Sequence, residues 1–148
     1  MIFRHTRRTV PESVFIVVQA NANFDQDDSV ACETATGLAD GLVAKAPAAG
    51  ELYAFIGVAD TQISSGYYGL VQVYGGRNTS RIFQTNTSQA LGAALTPVAA
   101  VAYLQSIATT TASNASVTQQ PIFGCLLETI ASTVSSVTIS ARVFLRAL

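Results

Sequence analysis

Charge is scarce in this chain. Eight Lys and Arg and nine Asp and Glu among 148 residues give a net charge of −1 and a charged fraction of 11%, against roughly 25% in an ordinary soluble domain. Lys45 is the one lysine. That balance argues against nucleic acid as the main partner, because phosphate binding needs clustered Lys and Arg to displace counterions. A surface filled by Ser, Thr, Asn, Gln and Ala instead suits lasting contact with other protein subunits. Histidine is almost absent: His5 alone would have to serve any Ser-His-Asp or histidine-metal site, from the end of the chain. Cys32 and Cys125 sit in apolar runs and read as buried free thiols, although spacing leaves a single disulfide open. A long apolar helix is missing too. The stretch from Ala90 to Ala108 is broken by Thr96, Pro97 and Gln105, so no membrane span is expected.

What is present is strand chemistry. Runs rich in Val, Ile, Thr, Phe and Tyr alternate with Gly, Asn, Asp and Ser, and the length suits one domain with its own core. Strands are expected at Ser13–Ala20, Ser29–Thr34, Leu52–Ala59, Tyr68–Tyr74 and Arg81–Gln84, with Gly75-Gly76 ending the fourth. Gly37–Gly50 reads as a loop or short hairpin and Thr109–Gln120 as a polar loop. From Ser136 to Leu148, Val137, Ile139, Ala141, Val143 and Leu145 share one face, and Thr138, Ser140, Arg142, Phe144 and Arg146 the other. That period of two predicts one long half-buried antiparallel strand. Residues 88–108 fit either a capped helix with Pro97 in its first turn or a pair of short strands, the latter favoured by Gly92, Thr96 and Pro97. The expected fold is mainly β, a small antiparallel barrel or sandwich with at most one or two short helices. An extended N-terminal arm over 1–12 precedes a single domain over 13–148.

The arm, MIFRHTRRTV, carries Arg4, Arg7 and Arg8 with no acid and is closed by Pro11. It is read as a frayed terminus or as a segment whose arginines seek carboxylates on a neighbouring subunit while Ile2 and Phe3 fill a groove. It imitates a secretory signal poorly, since Pro11 and Glu12 interrupt it and the apolar run is short. An internal echo links Phe55-Ile56-Gly57-Val58-Ala59 and Ile63 to Ile122-Phe123-Gly124-Cys125-Leu126 and Ile130, each glycine preceding its isoleucine by six residues. Such a repeat implies one strand-and-turn device, with glycine at a close backbone approach, used twice.

Catalytic and cofactor signals are negative. Asp25, Asp27, Asp28 and Glu33 lack the glycine and glutamate positions of a calcium loop and read as a solvated turn. Asp40, Glu51, Asp60 and Glu128 have no reason to converge as an acid–base pair. Gly75-Gly76 lacks phosphate-loop spacing. Tyr53, Tyr67, Tyr68, Tyr74 and Tyr103, without flanking cations, read as core edges or subunit contacts. The sequons at Asn78, Asn86 and Asn114 matter only in a secreted eukaryotic protein. No cofactor, no metal and no enzymatic activity are expected.

The stretch Phe55-Ile56-Gly57-Val58-Ala59, Ile63-Ser64-Ser65-Gly66 and Gly69-Leu70-Val71-Gln72-Val73-Tyr74-Gly75 resembles the capsid decoration, or cement, proteins of tailed bacteriophages. Gly92-Ala93-Ala94-Leu95-Thr96-Pro97 fills the pattern that opens the second half of those proteins, and Pro121-Ile122-Phe123-Gly124 resembles their return strand. The likeness runs from Phe24 to Leu148; the Ala-rich segment and the arginine-bearing N-terminus depart from it. It implies a non-catalytic β-barrel that forms homotrimers on the outer surface of the virion and bridges copies of the major capsid protein. Under it, Ile2, Phe3, Arg4, Arg7 and Arg8 are the expected capsid contacts, with Arg142 and Arg146 at a trimer or capsid contact. Another phage part, such as a head fibre base, a tail component or a minor capsid protein, would share this composition. A carbohydrate-binding barrel using Tyr67 and Tyr68 is the reading from a different class.

Overall fold

A computed structural model describes residues 2–7, 10–33, 42–49, 51–84, 88–107, 122–131 and 137–147, with side chains from Glu12 onward. Twelve strands make one sheet: β1 (Ile2–Arg7), β2 (Val10–Ala20), β3 (Ser29–Cys32), β4 (Val43–Lys45), β5 (Phe55–Ala59), β6 (Tyr68–Arg77), β7 (Arg81–Gln84), β8 (Ala94–Pro97), β9 (Leu104–Ser106), β10 (Gly124–Leu126), β11 (Val137–Ser140) and β12 (Val143–Arg146). The only helical piece among the described residues is a 3-10 turn at Leu52–Ala54. The mainly β class is as the composition implies. β2, β4, β3, β5 and β6 pair in that order, and β6 returns to β2, closing a five-stranded barrel.

The rest of the chain repeats the same connections. β2 lies parallel to β4, which is antiparallel to β3, which is antiparallel to β5; likewise β7 is parallel to β9, β9 antiparallel to β8, and β8 antiparallel to β10. The place of β6 is shared by β11, which pairs with β7, and β12, which pairs with β10. Registers agree residue by residue: Val58↔Gln72 and Ala59↔Val71 answer to Cys125↔Phe144 and Leu126↔Val143. The bridge Phe24↔Ile63 answers to Gln89↔Ile130. Even the left-handed turn residue recurs, as Asp27 at φ 72° and Gly92 at φ 83°. The echoed Gly57 and Gly124 are equivalent. A Cβ on Gly57 would strike the Gln72 carbonyl oxygen, and one on Gly124 would strike that of the equivalent Phe144. The chain is therefore an internal duplication, with β6 and β12 side by side at the seam. There Tyr74 lies opposite Arg146, its own counterpart, so a local two-fold axis passes between them.

Each half has its own core, and the two fill it differently. In the first, Phe24 packs with Ala20, Val30, Ala44, Ala59, Ile63, Val71 and Val73. In the second, Ile82, Leu95, Leu104, Leu126 and Leu145 stand where Ala20, Val30, Ala44, Ala59 and Val73 stand. Five larger side chains compensate for the loss of the Phe24 ring, whose position is held by Gln89. Phe55 and Val58, on the outer face of β5, belong to the second core, which makes β5 the wall between the halves.

Several boundaries move. β6 does not stop at Gly75-Gly76 but runs to Arg77, because β12 pairs with that end, Leu145 opposite Gly75 and Phe144 opposite Gly76. Gly75 at φ 104° lets the backbone of Glu12 approach. The long final strand is broken at Ala141-Arg142, where it changes partner from β7 to β12's neighbours, yet its alternation persists, with Ala141, Val143 and Leu145 buried. Residues 88–108 contain a pair of strands, β8 and β9. The Leu52–Ala59 strand starts at Phe55, and β4 lies within Gly37–Gly50. Residues 2–7, expected as an arm, run as β1 along β2 with Ile2 opposite Ile16 and Phe3 opposite Phe15; the expected boundary at residue 12 falls inside β2. Both cysteines are free and half-buried, not fully buried.

Candidate functional site

The most densely bonded polar cluster sits where the halves join. The acidic turn after Phe24, read from sequence as solvated, clasps the segment that leads from β6 into β7. Arg77 is buried, and its guanidinium donates to Asp27 Oδ1 from Nε at 3.1 Å and Nη2 at 2.6 Å, to Asp60 Oδ1 at 3.1 Å, to Gln72 Oε1 at 3.2 Å and to the Ala59 carbonyl at 2.8 Å. Thr79 donates to the same Asp27 oxygen at 3.0 Å. Arg81 donates to Asp28 at 2.8 Å and to Asp25 at 3.2 Å. Burial pushes the Asp28 carboxyl above its ordinary 3.8, opposed by the Asp25 amide and Arg81. A guanidinium so fully matched is a structural tie rather than a reactive group. The open groove beside it, about 610 Å³, is lined by Asp25, Gln26, Thr61, Gln62, Arg81 and Ser140, among others.

Other carboxylates are likewise matched to cations. Lys45 bridges Glu33 at 2.9 Å and Glu51 at 2.5 Å. Glu128 pairs with Arg142 at 3.5 Å. Asp40 lies outside the described residues. Among the described residues, no group of three or more His, Cys, Asp and Glu is placed to hold a metal ion, and no helix is long and apolar enough to cross a membrane.

The face with most to offer a partner is the outer side of β2 and β6. Tyr67 and Tyr68 are 70% and 67% exposed, which removes the first of the two sequence readings, core edges, and leaves the second, subunit contacts, open. Exposed Leu70 lies opposite half-buried Val17, and Tyr68 opposite Gln19. Further along β6, Tyr74 meets the Phe144 ring edge-on at 5.3 Å, and exposed Arg146 follows on β12. On the far side of β2 runs β1, at one end of the strand order, with no second strand partner among the described residues. The backbones of Ile2, Phe3, Arg4 and Arg7 therefore flank this face; their side chains, and all of Arg8, lie outside the described residues. Arg142, tied to Glu128, is the counterpart of Leu70 in the second half. Sequence reasoning missed the Arg77 clasp. An arginine after a glycine pair gives no local signal, since its acceptors come from three separate segments.

No protein-family model matches the chain, and no curated protein matches it.

Proposed function

We propose that this chain is a non-catalytic structural protein of a tailed-phage virion, a decoration or cement protein that binds the outer surface of the head and ties neighbouring major capsid subunits together, itself as a homotrimer. The observation that carries the reading is the exposed, uncharged face of Tyr67, Tyr68 and Leu70 beside the β1 edge. Aromatic and aliphatic groups in solvent gain from burial against protein, and an edge strand can take a further strand from a partner by backbone hydrogen bonds. The sparse charge fits a surface that spends its life covered. In this role Ile2, Phe3, Arg4, Arg7 and Arg8 approach the capsid with the β1 edge, and Arg146 lies at the border of the contact.

Light scattering of the purified protein, followed by sedimentation with undecorated phage heads, tests this. A stable trimer that pellets with heads, and whose Tyr67→Ser/Tyr68→Ser and Arg146→Glu variants keep their melting temperature but stay in the supernatant, supports it. A monomer that ignores heads overturns it. Copy number per virion separates a cement protein from a head fibre base, tail or minor capsid component. The same two tyrosines favour a second reading, carbohydrate binding; a reproducible glycan-array signal abolished by Tyr67→Ala or Tyr68→Ala would move the assignment there.

A further inference from the structure

We propose that the core of the second half holds ordered water at the end where Gln84 and Gln89 meet the Ile130-Ala131 stretch. Gln89 is 5% exposed and Gln84 fully buried. The main chain of Gln89 exchanges two 2.9 Å hydrogen bonds with Ile130, and the Gln84 side-chain amide donates to the neighbouring Ala131 carbonyl. The Gln89 main chain and the Gln84 side chain are thus anchored to adjacent residues. Three side-chain polar atoms, Gln84 Oε1 and both Oε1 and Nε2 of Gln89, have no hydrogen-bond partner among the described residues.

Reversing an amide does not remove the deficit. Turning Gln84 would set its oxygen against the Ala131 carbonyl, two acceptors face to face, so its orientation is determined. Gln89 lacks partners at both ends whichever way it points. Buried amides are almost always paired, and here the first half supplies the control: at the equivalent place it buries the ring of Phe24, which asks for no partner. The unmet groups are two acceptors and one amide donor. Water can donate to the oxygens and accept from Nε2, the partners these groups lack.

A high-resolution crystal structure of the whole chain, paired with water-to-amide cross-relaxation in solution, decides it. The expected result is a water peak about 2.7–3.2 Å from Gln84 Oε1 and the Gln89 amide, a long-lived water contact to the Gln89 side-chain protons, and loss of both in Gln89→Met. Amides bonded to protein groups or to each other with no water between them would overturn the proposal. Should Gln89→Met not fold, the wild-type density and cross-relaxation decide alone.

Discussion

Replacing Asp27 by glycine isolates the worth of the clasp, because glycine is what the second half carries at that position. The backbone loses little: relief of a non-glycine residue at φ 72°, about 1 kcal/mol, is offset by the greater entropy of a glycine in the unfolded chain, about 0.5–1 kcal/mol. What remains is the guanidinium. Arg77 has a side chain 6% exposed and loses its 2.6 Å partner, keeping Asp60, Gln72 and the Ala59 carbonyl. Orphaning a buried charge costs about 3–5 kcal/mol, and with Asp60 still in place the lower figure applies, about 3 kcal/mol. For a chain of this size that is a fall in melting temperature of roughly 6–12 °C, measurable by calorimetry. Arg77→Met alone leaves two carboxylates that reach solvent, and is expected to cost about 1–2 kcal/mol. The decisive case is the double variant, which has no stranded charge and should be more stable than Asp27→Gly alone. Additive losses, or a loss below about 1 kcal/mol for Asp27→Gly, would refute the reasoning.

Gly57→Ala and Gly124→Ala should each unfold or severely destabilise the protein, since the new methyl group meets a backbone carbonyl in both halves; a melting temperature within a few degrees of wild type for either would show that the equivalent strand crossings yield more than packing implies. Hydrogen bonds from Lys45 to Glu51 and Glu33 hold its ammonium above its ordinary 10.5. A raised folded-state value gives stability that is whole below the unfolded value and lost as pH climbs through the folded one. The stability gap between wild type and Lys45→Met should therefore hold steady from about pH 6, where both glutamates are ionised, up to 10.5 and close above it, and a gap that stays unchanged well above pH 10.5 would contradict the assignment.

Periodicity made the strands legible because side chains on alternating faces write burial directly into sequence: the alternation from Val137 to Arg146 survives even though the strand changes partner midway. The break itself was not legible, since Ala141 and Arg142 fit either a continuous or an interrupted strand and only pairing decides. The echo of Gly57 and Ile63 in Gly124 and Ile130 was a trace of the duplication. The rest of it was hidden because the two cores conserve volume rather than identity, with Ala59 answering to Leu126 and Phe24 to Gln89. The clasp was illegible for a different reason. Asp27, Asp60 and Arg77 are distant in sequence, and an acidic turn looks solvated until its counter-ion arrives from another strand. Of the expected contact residues, Arg146 is exposed with no ion pair among the described residues while Arg142 is tied to Glu128, a distinction that alternation alone does not draw.

The seam strand β6 also imposes an order of events during synthesis. Every strand of the closed first barrel precedes Arg77, so that barrel can form while the remainder of the chain is still being made. It then displays an unfinished template: the far end of β6, from Tyr74 to Arg77, and the apolar outer wall of β5 with Phe55 and Val58. β12 completes the first of these, pairing Val143 to Arg146 with Arg77 to Tyr74. Until β12 pairs there, that end of β6 presents free backbone groups, the kind of edge to which another copy can add a strand.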